Sequence, residues 1–371
     1  MERTTAKKNK YEIDMCNGTI MDKLISFSLP LMLSGILQLM FNAVDIIVVG
    51  RFSGSQALAA VGSTSALINV FTNLFIGISL GANVLTARFY AAGREKEVSE
   101  TVHTAITLAL VSGIVMALVG LVFSRGALAL MGTPDDVIGL SALYMRIYFL
   151  GMPFFMLYNY GAAILRAVGD TKRPLLFLMI AGVINACLNM VLVIVFKLGV
   201  AGVAIATVIS QMISCVLVLR CLCRSESSYR LRFSELGMKG YYLKQIFSVG
   251  VPAGIQSTVI NFSNVLLQSS VNSFGSTAMA GYTAANNLLG FLYVSVNSIT
   301  QACMSFTSQN YGVGKLKRMD RVLADCMILS VVVAVVLGCI CYGFGPEILQ
   351  IYTEDAEVIA CGMEILAYTT I

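Results

Sequence analysis

The sequence predicts an all-α polytopic membrane protein, and three observations support this prediction. Of its 371 residues, 57% are hydrophobic and only 12% are charged, against about 25% charged residues in a typical soluble domain. Lysines and arginines cluster in alternate connections between apolar blocks. A helix needs about 20 apolar residues to cross a bilayer, and five longer stretches contain no Asp, Glu, Lys or Arg: 56–87, 101–124, 174–196, 245–274 and 276–314.

The apolar blocks predict nine complete spans and part of a tenth. In chain order the complete spans occupy 24–49, 57–86, 101–124, 139–164, 174–196, 199–219, 245–273, 278–309 and 323–345. The tenth begins near Val358 and is interrupted at Ile371. Pro30, Pro153 and Pro252 lie inside spans, where proline kinks or breaks a helix. Such a kink serves either as a bending point for transport or as a plain packing feature.

Lysines and arginines lie almost entirely on one side of the predicted membrane. The N-terminus and the connections after spans two, four, six and eight contain 21 of the 25. Because cytoplasmic loops are enriched in these residues, we expect a protein of the cell (inner) membrane whose N-terminus and even-numbered connections are cytoplasmic. The basic clusters are then topology signals, and we expect no nucleic-acid partner despite the net charge of +5.

The second half of the chain repeats the first. Pro30 corresponds to Pro252 at an offset of 222 residues, and Tyr90 corresponds to Tyr311 at an offset of 221. Each repeat has six spans, so the two halves have the same topology, as in transporters built from parallel repeats. The offset places Ile371 within the fourth span of the second repeat, and we expect spans eleven and twelve and most of span ten to lie beyond this sequence.

These patterns divide the chain into four parts. We predict a cytoplasmic N-terminal tail over 1–23, an N-lobe of spans one to six over 24–223, and a cytoplasmic linker over 224–243. A partial C-lobe follows over 244–371, with spans seven to nine and the start of span ten. About 9.5 of 12 expected spans are therefore present.

Asp45 is the strongest candidate for a functional side chain. It lies inside span one among apolar residues, and a charged side chain costs roughly 2.5–3.5 kcal/mol at the bilayer centre. A proton or cation site would explain it. The alternative is that Asp45 lies near the outer interface and is solvated. The corresponding residue of the second repeat is Leu267, so the geometry of the helix does not require an acid there.

Polar side chains in spans five and six are a second candidate group. Asn185 and Asn189 are four residues apart and share one helical face, and Thr207 lies in span six. Their oxygens suit hard cations such as Na⁺. From spacing alone, interhelical hydrogen bonding explains them better, because Asn and Thr commonly form such bonds in membranes.

Several classes of function find no support in the sequence. There is no GxxxxGK[ST] loop for a nucleotide, the single histidine excludes an HExxH site, and ten cysteines are scattered without metal-site spacing. We therefore expect no enzyme activity, no cofactor and no metal apart from a possible coupling Na⁺. Transport would then be driven by an ion gradient.

The motifs resemble the bacterial multidrug and toxic compound extrusion (MATE) transporters. The resemblance extends over almost the whole chain after residue 20 and rests on LPLMLSGILQLMFNAVDIIVVGRFSG (29–54), ILRAVGDTKRPLL (164–176), NACLNMVLV (185–193), GVAGVAIATVISQ (199–211) and VGVPAGIQ (249–256). It implies a MATE-like bundle of two six-helix lobes around a central cavity. It also implies exchange of H⁺ or Na⁺ for small amphipathic, often cationic drugs, and we expect a monomer.

The resemblance also implies roles for individual residues. Asp45, Asn185, Asn189 and Thr207 match the cation-coupling residues, which overrides the hydrogen-bonding explanation of the asparagines. Some relatives have a second acid at the position of Asn189, so the first-lobe cluster has a single carboxylate here. Others have an acid in span seven at the position of Gln256, and the glutamine there argues against a second-lobe cation site of that kind. Residues expected to line the substrate cavity or form a hinge are Gln38, Asn42, Met152, Pro153 and Gln256.

A lipid-linked oligosaccharide or lipid flippase of related architecture is the alternative function. Such a protein more often lines its cavity with several cationic residues that hold pyrophosphate. Arg146 is the only clear candidate of this kind inside a span, so the sequence favours drug export. A receptor would need a sizeable soluble domain, which the sequence lacks, and a membrane enzyme would need clusters of histidine and acid within its spans.

Overall fold

Every regular element is helical in this computed structural model, which describes residues 11–131, 133, 135–272, 276–350 and 355–370. The first seven helices are α1 (Met21–Ser53), α2 (Ser55–Ala91), α3 (Glu95–Leu130), α4 (Asp135–Leu150), α5 (Met152–Ala167), α6 (Lys172–Asn189) and α7 (Gly199–Cys223). The next five are α8 (Gly240–Asn272), α9 (Ser276–Gly312), α10 (Leu316–Gly343), α11 (Gly345–Gln350) and α12 (Ala356–Thr370). We refer to α1–α7 as the first bundle and to α8–α12 as the second bundle.

The lengths of these helices agree with the predicted all-α membrane fold. Six helical segments among the described residues are long and apolar enough to cross a membrane, and the bent pair α4–α5 makes a seventh. Helices α8 and α9, with 33 and 37 residues, extend over roughly 50 Å at 1.5 Å per residue. They contain more Asn, Ser, Thr and Gln than the other long helices, so their composition alone identifies them less clearly as membrane spans.

The predicted span over 139–164 consists of two helices, in agreement with the kink or break expected at Pro153. Helices α4 and α5 meet at Gly151 with a bend of 48°. Pro153, near the start of α5, cannot donate a hydrogen bond, and its ring clashes with a carbonyl one turn earlier. Pro30 and Pro252, in contrast, lie inside α1 and α8, which continue past them as single helices.

The main apolar core lies mostly in the first bundle. Buried side chains of α1–α5 and α7 form one continuous cluster that also includes Tyr242 and Ile246 of α8. A smaller cluster joins the start of α1 to α9 and α10 and includes Met15, Phe27 and Phe306. Met15 is completely buried, so this part of the predicted tail packs against the helices; residues 1–10 of the tail lie outside the described residues.

The predicted linker between the halves also packs against the protein. Tyr229 and Leu231 are buried, and a short 3₁₀ turn spans Phe233–Glu235. His103 of α3 accepts a hydrogen bond from the backbone N–H of Arg232 at 3.0 Å. The linker is therefore held against the first bundle before α8 begins at Gly240.

Helices α2 and α8 join the two bundles through backbone contact. A Cβ atom added at Gly77 would lie 2.2 Å from the Cα of Gly254, and one added at Gly81 would lie 2.2 Å from the carbonyl oxygen of Ile246. Small residues allow two helices to approach this closely in a membrane, where packing rather than hydrophobic burial drives association. The glycines therefore fix the distance between the bundles.

We predict that Gly77→Ala lowers thermal stability. Alanine has the higher helix propensity, by about 1 kcal/mol, but overpacking typically costs about 1–3 kcal/mol, and here the neighbour is backbone. Gly290→Ala is the matched control, because a Cβ there meets no atom within 4 Å. Thermal unfolding in detergent should show a lower Tm for Gly77→Ala and an equal or higher Tm for Gly290→Ala. Equal shifts in both variants would contradict close α2–α8 packing.

Candidate cation-coupling site

The four predicted coupling residues meet at one place in the first bundle. Asp45 comes from α1, Asn185 and Asn189 from the last turns of α6, and Thr207 from α7. Asn189 follows Asp45 by 144 positions, yet its side-chain amide donates a hydrogen bond to Asp45 Oδ1. The helices therefore assemble the site from three separate parts of the sequence.

Hydrogen bonds link these four side chains into a closed ring. The amide of Asn189 donates to Asp45 Oδ1 and, at 3.2 Å, to Asn185 Oδ1. The amide of Asn185 donates to Thr207 Oγ1 at 3.4 Å. Thr207 Oγ1 lies 3.3 Å from Asp45 Oδ2 and 2.9 Å from the carbonyl oxygen of Val203, so its single hydrogen has two possible acceptors.

The site is shielded from the surroundings of the protein. Asp45 is 7% exposed, Asn185 5% and Asn189 0%. The alternative in which Asp45 lies at an interface and is solvated is therefore wrong. A buried carboxylate is tolerated when it is hydrogen-bonded or paired with a cation, and the ring supplies the hydrogen bonds.

One oxygen of the ring has no partner. Asn189 Oδ1 is fully buried and accepts no hydrogen bond, which is unusual because buried polar atoms are nearly always satisfied. It belongs to the same amide that donates to Asp45. A rotation of that amide would turn a free carbonyl oxygen toward the carboxylate, where a bound Na⁺ or an added proton could satisfy both groups.

Local backbone structure explains how α6 reaches Asp45. A Cβ added at Gly182 would lie 1.8 Å from the ring of Phe41, so only glycine lets α6 approach α1 at this level. Directly after Asn189, the helix widens into a π-helical segment over Met190–Val195. Such segments often occur at functional sites, and the prediction of one regular helix over 174–196 is therefore incomplete.

Tyrosines of α4 form a second layer that the sequence analysis did not identify. Tyr144 and Tyr148 stack with ring centroids 6.1 Å apart, and both lie close enough to Asp45 to interact with its charge. Gln211 of α7 contacts the hydroxyl of Tyr148, and its Oε1 is buried without a partner. The four-residue spacing of the tyrosines places them on one face of a helix, a signal that the sequence does contain.

The residues predicted to line a cavity or form a hinge are distributed over three helices. Gln38 and Asn42 are exposed on α1, and their spacing places them on the same face as Asp45. Gln256 is exposed on α8, away from the hydrogen-bonded ring. Met152 is completely buried in the core of the first bundle, so it does not line an open cavity. Its position next to Pro153, beside the break between α4 and α5, agrees with the expectation of a hinge.

Comparison with known proteins identifies the family. The MatE family model matches residues 30–191 and 252–371. The chain belongs to the MatE family. It is 34% identical to the probable multidrug resistance protein YoeA of Bacillus subtilis over 92% of this chain and 76% of the relative. It is 22% identical to the multidrug export protein MepA of Staphylococcus aureus over 93% of this chain and 76% of the relative.

Solved structures of MATE transporters share the fold. An outward-facing multidrug resistance MATE transporter superposes with a TM-score of 0.91 at 20% identity, covering 98% of this chain and 81% of that one. A Pyrococcus furiosus transporter of the MOP superfamily, described as having a binding pocket of reversed polarity, gives a TM-score of 0.90 at 20% identity, covering 97% and 80%. The predicted MATE-like, all-α polytopic architecture is confirmed.

We predict that Asn189→Leu destabilises this MatE protein, because Asp45 and Asn185 both lose a donor in a buried place. Leaving buried acceptors unsatisfied costs about 1–3 kcal/mol per group. Asn261→Leu is the matched control, since the amide of Asn261 bonds only to the carbonyl oxygen of Ser257 in its own helix. Thermal unfolding in detergent should show the larger decrease for Asn189→Leu. Similar Tm values for the two variants would be evidence against the ring.

Proposed function

We propose that the protein exports multiple drugs by antiport with H⁺ or Na⁺, using the ring around Asp45 as the coupling site. The observation that supports this most directly is a buried carboxylate surrounded by amide and hydroxyl oxygens. Relatives named as multidrug resistance or export proteins support outward transport and drugs as the class of substrate. Substrates are then small amphipathic, cationic molecules that enter from the bilayer or the cytoplasm.

The charge of the site supports a single monovalent ion. Asp45 is the one acid of the ring, and the described residues contain no group of three or more His, Cys, Asp or Glu side chains that could hold a metal. One carboxylate neutralises one H⁺ or one Na⁺, whereas a divalent ion would leave an uncompensated buried charge, which is costly. The neutral oxygens of Asn185, Asn189 and Thr207 suit Na⁺ as additional ligands.

Binding at the ring has a structural route to the rest of the first bundle. Thr207 and Gln211 lie one turn apart on α7. A Cβ added at Gly151 would lie 2.8 Å from Gln211 Oε1, so the break between α4 and α5 rests directly against α7. A shift of α7 when the ion binds would therefore press on the point where α4 and α5 bend, and alternating access is the proposed result.

The distribution of basic residues supports the orientation. The connections α2–α3, α5–α6, α7–α8 and α9–α10, together with the helix ends that flank them, contain 16 of the 25 lysines and arginines, as cytoplasmic loops and their borders do. We place this end, hereafter the basic end, in the cytoplasm of a cell whose inner membrane contains the protein as a monomer. The basic clusters then face anionic lipid rather than nucleic acid.

The flippase alternative has less support. Arg146, its candidate for holding pyrophosphate, is exposed on α4 and is not buried among other cations. A flippase remains an outcome of the test below.

We predict that Asp45→Asn abolishes gradient-driven efflux while the protein still reaches the membrane. Asparagine has nearly the same shape but cannot release a proton or neutralise Na⁺. Dye efflux from cells that express the full-length protein should be measured under imposed H⁺ and Na⁺ gradients, and the effective gradient identifies the ion. Asp320→Asn, at an exposed carboxylate of α10, should leave efflux unchanged.

Two results would contradict this assignment. Retained efflux in Asp45→Asn would remove Asp45 from the coupling mechanism. No efflux of any dye under either gradient, despite good expression of the unaltered protein, would favour the flippase.

We also predict that Thr207→Val weakens ion coupling about tenfold, because a lost hydroxyl contact is worth roughly 1–1.5 kcal/mol. The ion concentration that gives half-maximal efflux should rise in Thr207→Val and stay near the original value in Thr207→Ser, which keeps the hydroxyl. Equal values for Val and Ser variants would show that the hydroxyl does not contribute.

A further inference from the structure

Residues 11–20 lie across the basic end as a strap that contacts both bundles. We call this segment the N-terminal strap. It precedes α1 and has no regular helix of its own, yet Met15 is completely buried. A short terminal segment is usually poorly ordered unless side chains or backbone bonds tie it down, so its contacts need an explanation.

The strap binds the first bundle through Glu12 and the backbone. The Glu12 carboxylate accepts hydrogen bonds from the hydroxyls of Tyr90 and Tyr229, each at 2.8 Å. Burial raises the pKa of Tyr229, so this hydroxyl keeps its proton and remains a donor. The N–H of Ile13 donates to the carbonyl oxygen of Gly169 at 3.3 Å.

 Gly169 has a φ of +98°, and a Cβ added there would lie 2.6 Å from the carbonyl oxygen of Ile13. Only glycine adopts this backbone conformation readily and leaves room for the strap. Asp170, the next residue, accepts a hydrogen bond from the backbone N–H of Arg173 at 3.1 Å and so fixes the start of α6.

The strap binds the second bundle through its backbone carbonyl groups. Asn310 donates to the carbonyl oxygen of Met15 at 3.1 Å. Lys315 donates to the carbonyl oxygen of Cys16 and to Asn17 Oδ1, both at 2.8 Å. The side chain of Met15 packs in the apolar cluster that α1 forms with α9 and α10.

Direct contacts between the bundles lie beneath the strap. Gln309 of α9 donates to the carbonyl oxygen of Ala167 at 2.7 Å, and Ser305 donates to Asn83 of α2 at 3.1 Å. A Cβ added at Gly312 would lie 2.2 Å from the carbonyl oxygen of Arg88. The bundles therefore touch at the basic end, and the strap crosses the seam between them.

We propose that the N-terminal strap is a latch, which holds the two bundles together at the basic end and has to detach before that end can open. The proposal rests on the alternating access of the proposed function, because only a transporter that opens at both ends needs such a release. Glu12 is the key residue of the latch, since its one carboxylate joins α2 and the α7–α8 linker to a segment that the second bundle holds.

The test measures opening of the basic end without drug or ion gradient. Spin labels replace Lys96 of α3 and Lys317 of α10, which are both exposed. They are attached through an encoded keto amino acid, because the chain has ten native cysteines. Pulsed electron paramagnetic resonance on the full-length protein in lipid nanodiscs then gives the distribution of distances between the bundles.

We predict that Glu12→Ala increases the population with longer distances at least about tenfold, as expected for loss of hydrogen bonds to a charged group. A chain that starts at Gly18 after an initiating Met should show the same change, because it lacks Glu12, Ile13 and Met15. Glu97→Ala is the control, since Glu97 pairs with Arg94 of the same bundle at 2.6 Å and should leave the distribution unchanged.

A longer-distance population in both folded variants supports the latch. An unchanged distribution in Glu12→Ala, or in the shortened chain if it elutes as a folded monodisperse protein, overturns it. Retained efflux in Asp45→Asn would refute the proposed coupling site, but it would leave the distance result and the latch standing. The two proposals can therefore fail separately.

Discussion

The burial of one carboxylate constrains much of the first bundle. Asp45 lies in α1 with 7% exposure, and a charge in such a place is tolerated only with hydrogen bonds or a bound cation. Two asparagines of α6 and one threonine of α7 provide these contacts. Gly182 lets α6 come close enough to α1 for them to do so. The packing of α6 against α1 and the hydrogen bonding of Asp45 therefore depend on the same few residues.

The two bundles meet through a different kind of interaction. Glycines of α2 and α8 bring backbone against backbone, and polar side chains such as Gln309 bond to carbonyl groups across the seam. In lipid, apolar side chains gain little from facing each other, so close packing and hydrogen bonds determine helix association. Backbone contacts of this kind are discrete, which suits the proposed exchange between two arrangements of the bundles.

The sequence predicted the helical fold well, because every helix that crosses a bilayer needs about 20 apolar residues in a row. Over the described residues, each predicted span matches a helix or a pair of consecutive helical segments to within about one residue at its ends, although the helices extend further into the loops, as α3 does at Glu95–Leu130. The bend at Gly151 lies beside Pro153, where a kink or break was expected. The π-helical segment after Asn189 was not predicted, because no pattern of residue types marks it in the sequence. The division into lobes at 223 and 244 remains a prediction.

The sequence by itself determined the class of protein and pointed to Asp45, because an acid among apolar residues and a run of twenty apolar positions are visible without coordinates. The resemblance to MATE transporters added Asn185, Asn189 and Thr207 as candidates. Only the tertiary structure decided that Asp45, Asn185, Asn189 and Thr207 form one ring, with Tyr144 and Tyr148 behind it. It also decided that residues 11–20 bind both bundles. These contacts join residues far apart in the chain, and their distances depend on how the helices pack, which no local pattern encodes.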